Sequence, residues 1–305
     1  MGFSQCFAGG RQILMEGGIG ERLKREYGIK IDGPVAMASL VYDSRAREAL
    51  AELWGGYADI AYRHNMPFIA TTPTRRANKE RILSAGYGPA IIKDNVEFLR
   101  EVQKGFKTES YIGALMGCKG DAYTNDSPLG IDEAEEFHSY AAGLFGQTGV
   151  DFLYAGIMPG RDEALGMARA MSKTGLDYII SFMVTRDGRL IDGTAISDAI
   201  KFIDKNVSLK PICYMANCVH PENLYIALTR EFNDRSVIME RFCGTQANTS
   251  PLSPKELDNC AELMTSDASG LADSMEKLKL CSGMKIWGGC CGTDFSHMEE
   301  IAKRV

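Results

Sequence analysis

Tyr178-Ile179-Ile180-Ser181-Phe182 is a short, largely apolar run in the middle of the chain, and it precedes Ala195–Asn206, a segment whose apolar residues have helical spacing. A second short run, Ile212-Cys213-Tyr214-Met215, follows that segment. Short β-branched or apolar runs bounded by polar turns are typical of strands, whereas a spacing of three to four residues is typical of helices. The stretch therefore predicts a strand, a crossover helix and a second, parallel strand.

The same alternation recurs outward from this unit in both directions. The eight runs that we interpret as strands are Ile13-Leu14-Met15-Glu16, Pro67-Phe68-Ile69-Ala70, Tyr111-Ile112-Gly113-Ala114-Leu115-Met116, Phe152-Leu153-Tyr154-Ala155, the two runs above, Val237-Ile238-Met239 and Lys285-Ile286-Trp287. The predicted helices are Arg45–His64, Ile131–Gln147, Glu163–Lys173, Ala195–Asn206, Pro221–Phe232, Pro254–Met264 and Ser296–Lys303. Eight strand-helix units over about 250 residues are enough to close a parallel sheet into a barrel. The predicted fold is α/β, a single (β/α)8 TIM barrel over residues 1–305, with its active site at the C-terminal ends of the strands.

Composition and charge narrow the class of protein. The chain has 305 residues, of which 45% are hydrophobic and 24% charged, as expected of a globular domain. Its 34 basic and 40 acidic residues give a net charge of −6, and no basic run offers a surface for nucleic acid. The sequence contains no run of about 18 apolar residues, so no membrane span is predicted. Nine cysteines without regular spacing, and no signal-like apolar segment, predict a cytoplasmic protein with reduced thiols.

Two long polar segments, Thr74–Pro89 and Cys118–Gly130, are predicted to be βα loops above the active face of the barrel. The first contains Arg75, Arg76 and Lys79, which are candidates for binding an anionic substrate. A charge cluster of this kind is usually a solvated surface, and solvation is the interpretation that we favour.

The most informative motif is Gly288-Gly289-Cys290-Cys291-Gly292-Thr293-Asp294, which directly follows the last predicted strand. The C-terminal ends of barrel strands carry the catalytic groups, so Cys290 and Cys291 are expected at the barrel mouth. Their glycine neighbours let the backbone bend, so that both sulfurs can face one point. Cys218 follows the sixth predicted strand and is expected at the same mouth.

Three thiolates favour a soft or borderline metal ion, and Zn²⁺ with three protein ligands and one open position is a common catalytic arrangement. We therefore predict Zn²⁺ as cofactor, with Cys218, Cys290 and Cys291 as its ligands. The alternative is that a cysteine merely packs in the core, and Cys218 taken alone fits that alternative better. Packing or a surface position is what we expect of the six others, Cys6, Cys118, Cys213, Cys243, Cys260 and Cys281.

With these motifs, the sequence resembles the homocysteine S-methyltransferase family over nearly its whole length. The terminal cysteine motif and Asn217-Cys218 resemble the family's zinc-binding segments. Ile13–Leu23 resembles its opening segment, Gly149–Leu153 its fourth strand, and Thr72-Pro73-Thr74 its loop after the second strand. The resemblance implies a zinc-dependent transfer of a methyl group to a thiol, in which the metal-activated substrate thiolate is the nucleophile and no separate protein nucleophile is needed.

The resemblance also implies a set of substrate-binding residues, which are Glu16, Gly17, Thr72, Thr74 and Asn217. Three positions depart from the family's pattern. Glu16 is one methylene longer than the usual aspartate, Gly156 stands where a glutamate follows the fourth strand, and Pro73 replaces an asparagine. A missing carboxylate would leave the ammonium group of homocysteine poorly compensated. Homocysteine and a different thiol therefore both stay open as the acceptor.

The predicted function is methyl transfer from an activated donor to a thiol, with homocysteine, giving methionine, as the first candidate acceptor. The alternatives are methyl transfer to a different thiol and a non-catalytic barrel that binds zinc or thiols. The sequence selects neither the methyl donor nor the oligomeric state. Because the chain ends at Val305, soon after the cysteine motif, we expect any folate or corrinoid module to belong to a separate partner, and a corrinoid protein is one candidate.

The histidines and the first glycine cluster are expected to be structural. His220 precedes Pro221 and is expected to cap a helix. His64, His138 and His297 fall in or beside predicted helices and receive no role. Gly17-Gly18-Ile19-Gly20 lacks the spacing of a dinucleotide-binding motif and is predicted to be a tight turn.

Overall fold

Eight parallel strands close into a barrel in the computed structural model, which describes residues 2–251 and 266–305. Each strand pairs with its neighbours in the chain, and the last pairs with the first. The strands are β1 (Ile13–Met15), β2 (Phe68–Thr71), β3 (Ser110–Gly117), β4 (Phe152–Met158), β5 (Tyr178–Phe182), β6 (Cys213–Val219), β7 (Phe242–Ala247) and β8 (Ile286–Gly289). The predicted (β/α)8 barrel is confirmed.

Helices surround this barrel, and their apolar faces share one core with outward-facing strand residues such as Leu14 and Phe68. Within the described ranges the α-helices are α1 (Phe3–Ala8), α2 (Gly20–Arg25), α3 (Ser44–Arg63), α4 (Lys79–Ser84), α5 (Ala90–Gln103), α6 (Ile131–Phe145), α7 (Arg161–Ser172), α8 (Ile196–Lys205), α9 (Pro221–Leu228), α10 (Arg235–Arg241), α11 (Ala268–Lys277) and α12 (Phe295–Arg304). Two 3-10 segments, Ala36–Tyr42 and Leu278–Leu280, complete the regular structure of that part.

A separate apolar cluster fills the inside of the barrel, because alternate strand residues point inward. Its members from the strands include Ile13, Met15, Ile69, Tyr111, Phe152, Tyr154, Ile179, Met215 and Ile286. Helix α1 covers the end of the barrel where the strands begin. There Phe3 is 2% exposed and stacks on Phe152, with 4.2 Å between the ring centroids. The opposite end, where the strands finish, is therefore the end at which loops can form a site.

The predicted strand Val237-Ile238-Met239 is wrong, because these residues lie in helix α10. Asp234 caps that helix, and of the three residues Ile238 is buried while Met239 is 40% exposed. A strand at this point would have been buried on both faces. The actual β7 contains Gly244, where an added Cβ would lie 2.8 Å from Met215 Cε and 2.9 Å from Ile286 Cβ. Packing thus requires glycine in β7, which weakens its apolar pattern.

The other predicted elements agree with the structure in kind and differ mainly in their limits. Helix α9 ends at Leu228 instead of Phe232, and β6 extends to Val219 and so includes Cys218. The predicted loop Thr74–Pro89 contains the short helix α4, whereas 118–130 has no helix or strand. Helices α1, α2, α5 and α11 were not predicted. The predicted helix Pro254–Met264 lies outside the described residues.

Most of the cysteines without a predicted role pack in the interior. Cys6, Cys118, Cys213, Cys243 and Cys281 are buried, as expected, and Cys260 lies outside the described residues. No helix in the described ranges is long and apolar enough to cross a lipid bilayer.

Candidate metal centre

Three thiols meet at the C-terminal end of the barrel. Cys218 is the penultimate residue of β6, and Cys290 and Cys291 directly follow β8. Their three sulfur atoms all lie within 4.8 Å of one another. The Cys290 and Cys291 sulfurs are 3.9 Å apart, and the Cα atoms of Cys218 and Cys290 are 5.6 Å apart. Residues that are 72 positions apart in the chain are thus brought to one point.

This donor set fits a zinc ion. Tetrahedral zinc with Zn–S bonds of about 2.3 Å holds its sulfurs about 3.8 Å apart, close to the separation of Cys290 and Cys291. All three cysteines would bind the ion as thiolates, so a zinc-loaded site requires them to be reduced. Three cysteinates would leave the fourth tetrahedral position free for a substrate.

Hydrogen bonds through Thr293 hold the turn that carries the paired cysteines. The Thr293 hydroxyl donates to the carbonyl of Cys290 at 2.8 Å and accepts from the backbone N–H of Gly18 at 2.8 Å. Gly292 has a φ of 84°, a left-handed conformation that favours glycine. The turn after β8 is therefore tied to the turn after β1. The sequence analysis assigned a role to the cysteines alone, and the polar Thr293 that follows them is the signal that could have indicated this support.

Cys218 has an unusual backbone conformation, with a φ of 52°. Ile157, near the end of β4, is similar at 58°. Non-glycine residues of this kind persist where the surrounding structure holds them. Asn217, predicted as a substrate ligand, lies beside Cys218, and its Oδ1 accepts from the N–H of Ile157 at 3.2 Å. Its amide also contacts the buried polar groups of Tyr154 and Gln246, so its hydrogen bonds are made within the protein.

Glu16 is buried, but its carboxylate is already engaged. It accepts hydrogen bonds from Trp54 Nε1 at 2.8 Å, from the N–H of Thr71 at 2.9 Å and from the Thr71 hydroxyl. Burial raises the pKa of Glu16 to about 7, and these hydrogen bonds oppose the rise. Because Trp54 belongs to helix α3, the carboxyl is turned toward that helix. At neighbouring Gly17 an added Cβ would lie 2.7 Å from the ring of Tyr57, so only glycine fits.

The hydroxyls of Thr72 and Thr74 are engaged in the same way. They lie 2.7 Å apart, Thr72 Oγ1 accepts from the N–H of Leu115 at 3.0 Å, and Thr74 Oγ1 donates to the carbonyl of Leu115 at 2.8 Å. These bonds join the ends of β2 and β3. At Gly156 an added Cβ would lie 2.6 Å from Leu115 Cδ1, so a carboxylate side chain there would require Leu115 to move.

Charged groups affect the titration of Cys291. Burial raises the pKa of the Cys291 thiol, and the negative charge of Glu21 adds to this effect. The positive charges of Arg75 and Lys24 oppose it. Arg75 was expected to be solvated, yet it is half-buried.

The histidines have structural contacts. His220 caps α9, with Nδ1 accepting from the N–H of Glu222 at 3.3 Å, as predicted. His138 was given no role, but it is buried against Glu163, with 3.0 Å between Nε2 and Oε1. Glu163 also accepts from the N–H of Lys119 at 2.8 Å and so anchors the loop after β3.

Comparison with known proteins identifies the family. Residues 13–305 match the sequence model of the family described as homocysteine S-methyltransferase. The chain belongs to the homocysteine S-methyltransferase family. The resemblance seen in the cysteine motif, in Asn217-Cys218 and in the opening segment thus extends over nearly the whole sequence, and family membership indicates an S-methyltransferase that acts on a thiol.

Solved structures show the same fold. The homocysteine methyltransferase MmuM from Escherichia coli in its metallated form superposes with a TM-score of 0.78 at 18% identity, over 99% of each chain. The oxidized form of that enzyme gives a TM-score of 0.75 at 17% identity, and its apo form 0.69 at 18%, each over 96% of both chains. At these identities the likeness shows that this homocysteine S-methyltransferase family member shares the barrel. The comparison with curated protein sequences found no match.

Proposed function

We propose that this chain is a zinc-dependent S-methyltransferase that moves a methyl group from an activated donor to a small thiol, with homocysteine as the first candidate acceptor. The observation that carries the proposal is the convergence of Cys218, Cys290 and Cys291 at the C-terminal end of the barrel. These residues would hold the zinc ion. When bound, it would lower the pKa of an acceptor thiol so that the thiolate forms at neutral pH.

The chain's own residues provide the rigidity that such a reaction needs. Thr293 fixes the turn of Cys290 and Cys291, and Asn217 fixes the backbone of Ile157 beside β6. Cys218 is 5% exposed, so bulk water has little access to it. A preorganised, partly dry site favours alignment of the acceptor sulfur with the methyl donor.

The three thiols must stay reduced to act together, which is consistent with a cytoplasmic protein. The donor is left open, and a corrinoid protein is one candidate for supplying the methyl group. A barrel that binds zinc or thiols without catalysis is the second candidate function, because family membership and the thiol cluster agree equally with retained binding.

Metal content and turnover separate these functions. We expect the reduced protein to bind one zinc ion per chain and to methylate homocysteine or a related thiol when offered S-methylmethionine, betaine and a methyl-corrinoid in parallel. Stoichiometric zinc with no turnover across donors and thiols would favour the binding protein.

A pair of cysteine variants tests the ligand assignment. We expect Cys290→Ala to abolish both stoichiometric zinc and activity, because two thiolates bind zinc far less tightly than three. Cys281→Ala is the matched control, since Cys281 is a buried cysteine that hydrogen-bonds to the Leu278 carbonyl and belongs to no thiol cluster found in the described ranges. A folded Cys290→Ala protein that keeps its full zinc content would show that Cys290 is not a ligand.

A further inference from the structure

A second polar feature lies at the same end of the barrel. It is a cavity of about 110 Å³ beside the end of β3, several times the space that one water molecule needs. The side chains that line it come from the loops after β2 and β3, and those used below are Arg75, Arg76, Arg81, Asp121 and Tyr123. We call this cavity the arginine pocket.

The positive charge of the arginine pocket is largely uncompensated. Across residues 2–251 and 266–305, none of the three arginines forms an ion pair, although each guanidinium carries five N–H donors. Arg81 makes one side-chain hydrogen bond, to the carbonyl of Lys119 at 2.9 Å. Burial lowers the pKa of Arg81, and the positive charges of Arg76 and Arg75 add to this effect.

Asp121 is the single carboxylate among the residues that line the pocket. It is exposed, and its Oδ1 accepts from the N–H of Tyr123 at 2.7 Å. Glu163 is close by, but its carboxylate is taken by His138 and the N–H of Lys119. Three guanidiniums facing a cavity with so little negative charge are a favourable environment for an anion.

The fold holds these arginines in place. At Gly117, the last residue of β3, an added Cβ would lie 2.7 Å from both Arg75 Cγ and the Arg75 carbonyl oxygen. Arg75 can pack against the strand end because glycine is there. The hydrogen bond from Arg81 to Lys119 joins the two loops that form the pocket, and Glu163 anchors Lys119 from below. The pocket is thus part of the packed loop structure.

The pocket and the thiols belong to the same barrel mouth. Gly289, which precedes Cys290, donates its N–H to the Glu16 carbonyl at 2.9 Å, and the Glu16 carboxylate accepts from the N–H of Thr71 at 2.9 Å. The ends of β8, β1 and β2 are thus joined in series, and Arg75 follows the last residue of β2 by four positions.

We propose that the arginine pocket binds the anionic group of the acceptor thiol, so that the substrate class is a mercapto acid recognised through its carboxylate, sulfonate or phosphate. This inference rests on the proposed function. Glu16, the residue that the family resemblance offers as partner for an ammonium group on the acceptor, already accepts hydrogen bonds from Trp54 and Thr71. The chain thus recognises the acid end of its acceptor and tolerates the loss of an amino group.

Three thiols of matched length test this inference with the zinc-loaded wild type. 4-Mercaptobutyrate is homocysteine without its ammonium group, and 3-aminopropane-1-thiol is homocysteine without its carboxylate. We expect kcat/KM for 4-mercaptobutyrate to lie within about threefold of that for homocysteine. We expect the value for 3-aminopropane-1-thiol to be about 10- to 100-fold lower, as is usual when charge-assisted hydrogen bonds are lost.

Substitution of Arg75 should erase this preference. In Arg75→Gln we expect KM for both acids to rise about 10-fold or more, with the amine unaffected, and Arg76→Gln should act in the same direction. Lys79→Gln is the matched control, because this substitution also removes one positive charge from the same loop. Lys79 is exposed and does not line the pocket. It should leave all three KM values unchanged.

Binding measured without turnover separates failure of this inference from failure of the proposed function. If no thiol is methylated with any donor, the proposed function fails, and calorimetry with 4-(methylthio)butyrate still reports the pocket. We expect that thioether to bind the wild type and to bind Arg75→Gln at least 10-fold more weakly. Equal use of the acid and amine thiols, no thioether binding, or variants that change only the KM of the donor would overturn the inference.

Discussion

Thr293→Val removes one hydroxyl from a buried position without changing the shape of the side chain. Thr293 is 1% exposed, and its hydroxyl bonds to the Cys290 carbonyl and to the Gly18 N–H, each at 2.8 Å. A typical intramolecular hydrogen bond contributes about 1 kcal/mol net, so losing both lowers the free energy of unfolding by about 2 kcal/mol. The turn that carries Cys290 and Cys291 also loses its hydrogen bond to Gly18 in the turn after β1.

The second effect concerns the metal. Partners that orient ligands typically change metal affinity by about 10- to 100-fold, and we expect zinc to bind Thr293→Val more weakly by such a factor. Thr174→Val is a matched control, because the Thr174 hydroxyl donates to the Met171 carbonyl at 2.7 Å and accepts from the Leu176 N–H at 3.2 Å. Thr174 precedes β5 and so lies at the end of the barrel opposite the thiols.

Two assays read the two effects separately. Urea unfolding of the metal-free, reduced proteins gives the change in stability, and competition with a chromophoric chelator gives the zinc affinity. We expect both variants to be destabilised and Thr293→Val alone to lose zinc affinity. Equal zinc affinity in all three proteins would refute the idea that Thr293 positions the ligands.

Two other predictions concern the barrel itself. Burial raises the pKa of Glu16 from its usual 4.5 to about 7, so the folded protein keeps this proton between those pH values while the unfolded chain loses it. The stability that this proton contributes is present below pH 4.5 and is lost as the pH rises through 7. The free energy of unfolding of Glu16→Gln should therefore rise by about 3 kcal/mol relative to that of the wild type over that interval. Urea unfolding at a series of pH values checks this, and a difference that does not change with pH would contradict it. Gly244→Ala should lower the free energy of unfolding by about 1–3 kcal/mol, because its Cβ would crowd Met215 and Ile286. Gly143→Ala in helix α6 should raise that free energy by up to about 1 kcal/mol, because an added Cβ has no neighbour within 4 Å there. Thermal unfolding of both glycine variants checks the pair, and a neutral Gly244→Ala would show that the barrel interior can expand there.

The architecture was accessible from the sequence because the strand and helix periods alternate clearly. Tyr178–Phe182 and the helix after it show the pattern well, since the strand is buried on both sides and the helix on one. The pattern fails at β7, where Phe242–Ala247 is fully buried but includes Gly244 and two polar residues. Close packing inside the barrel requires those residues, and this packing cannot be predicted from local strand propensity.

The thiol cluster could be predicted because its chemistry is rare and its residues follow strand ends. The surroundings of the predicted substrate residues could not be predicted, because they depend on partners far away in the sequence. Nothing near Glu16 in the sequence indicates that Trp54 and Thr71 take its carboxylate. Likewise, Arg75 was expected to be solvated. It packs against the barrel because Gly117, the last residue of β3, has no side chain.

X-ray absorption at the zinc edge tests the central claim most directly. The reduced, zinc-loaded protein should show three sulfur neighbours and one lighter atom at the metal, and addition of an acceptor thiol should replace the lighter atom with a fourth sulfur. Fewer than three sulfurs in the loaded protein, or a spectrum unchanged by every acceptor thiol offered, would contradict the account.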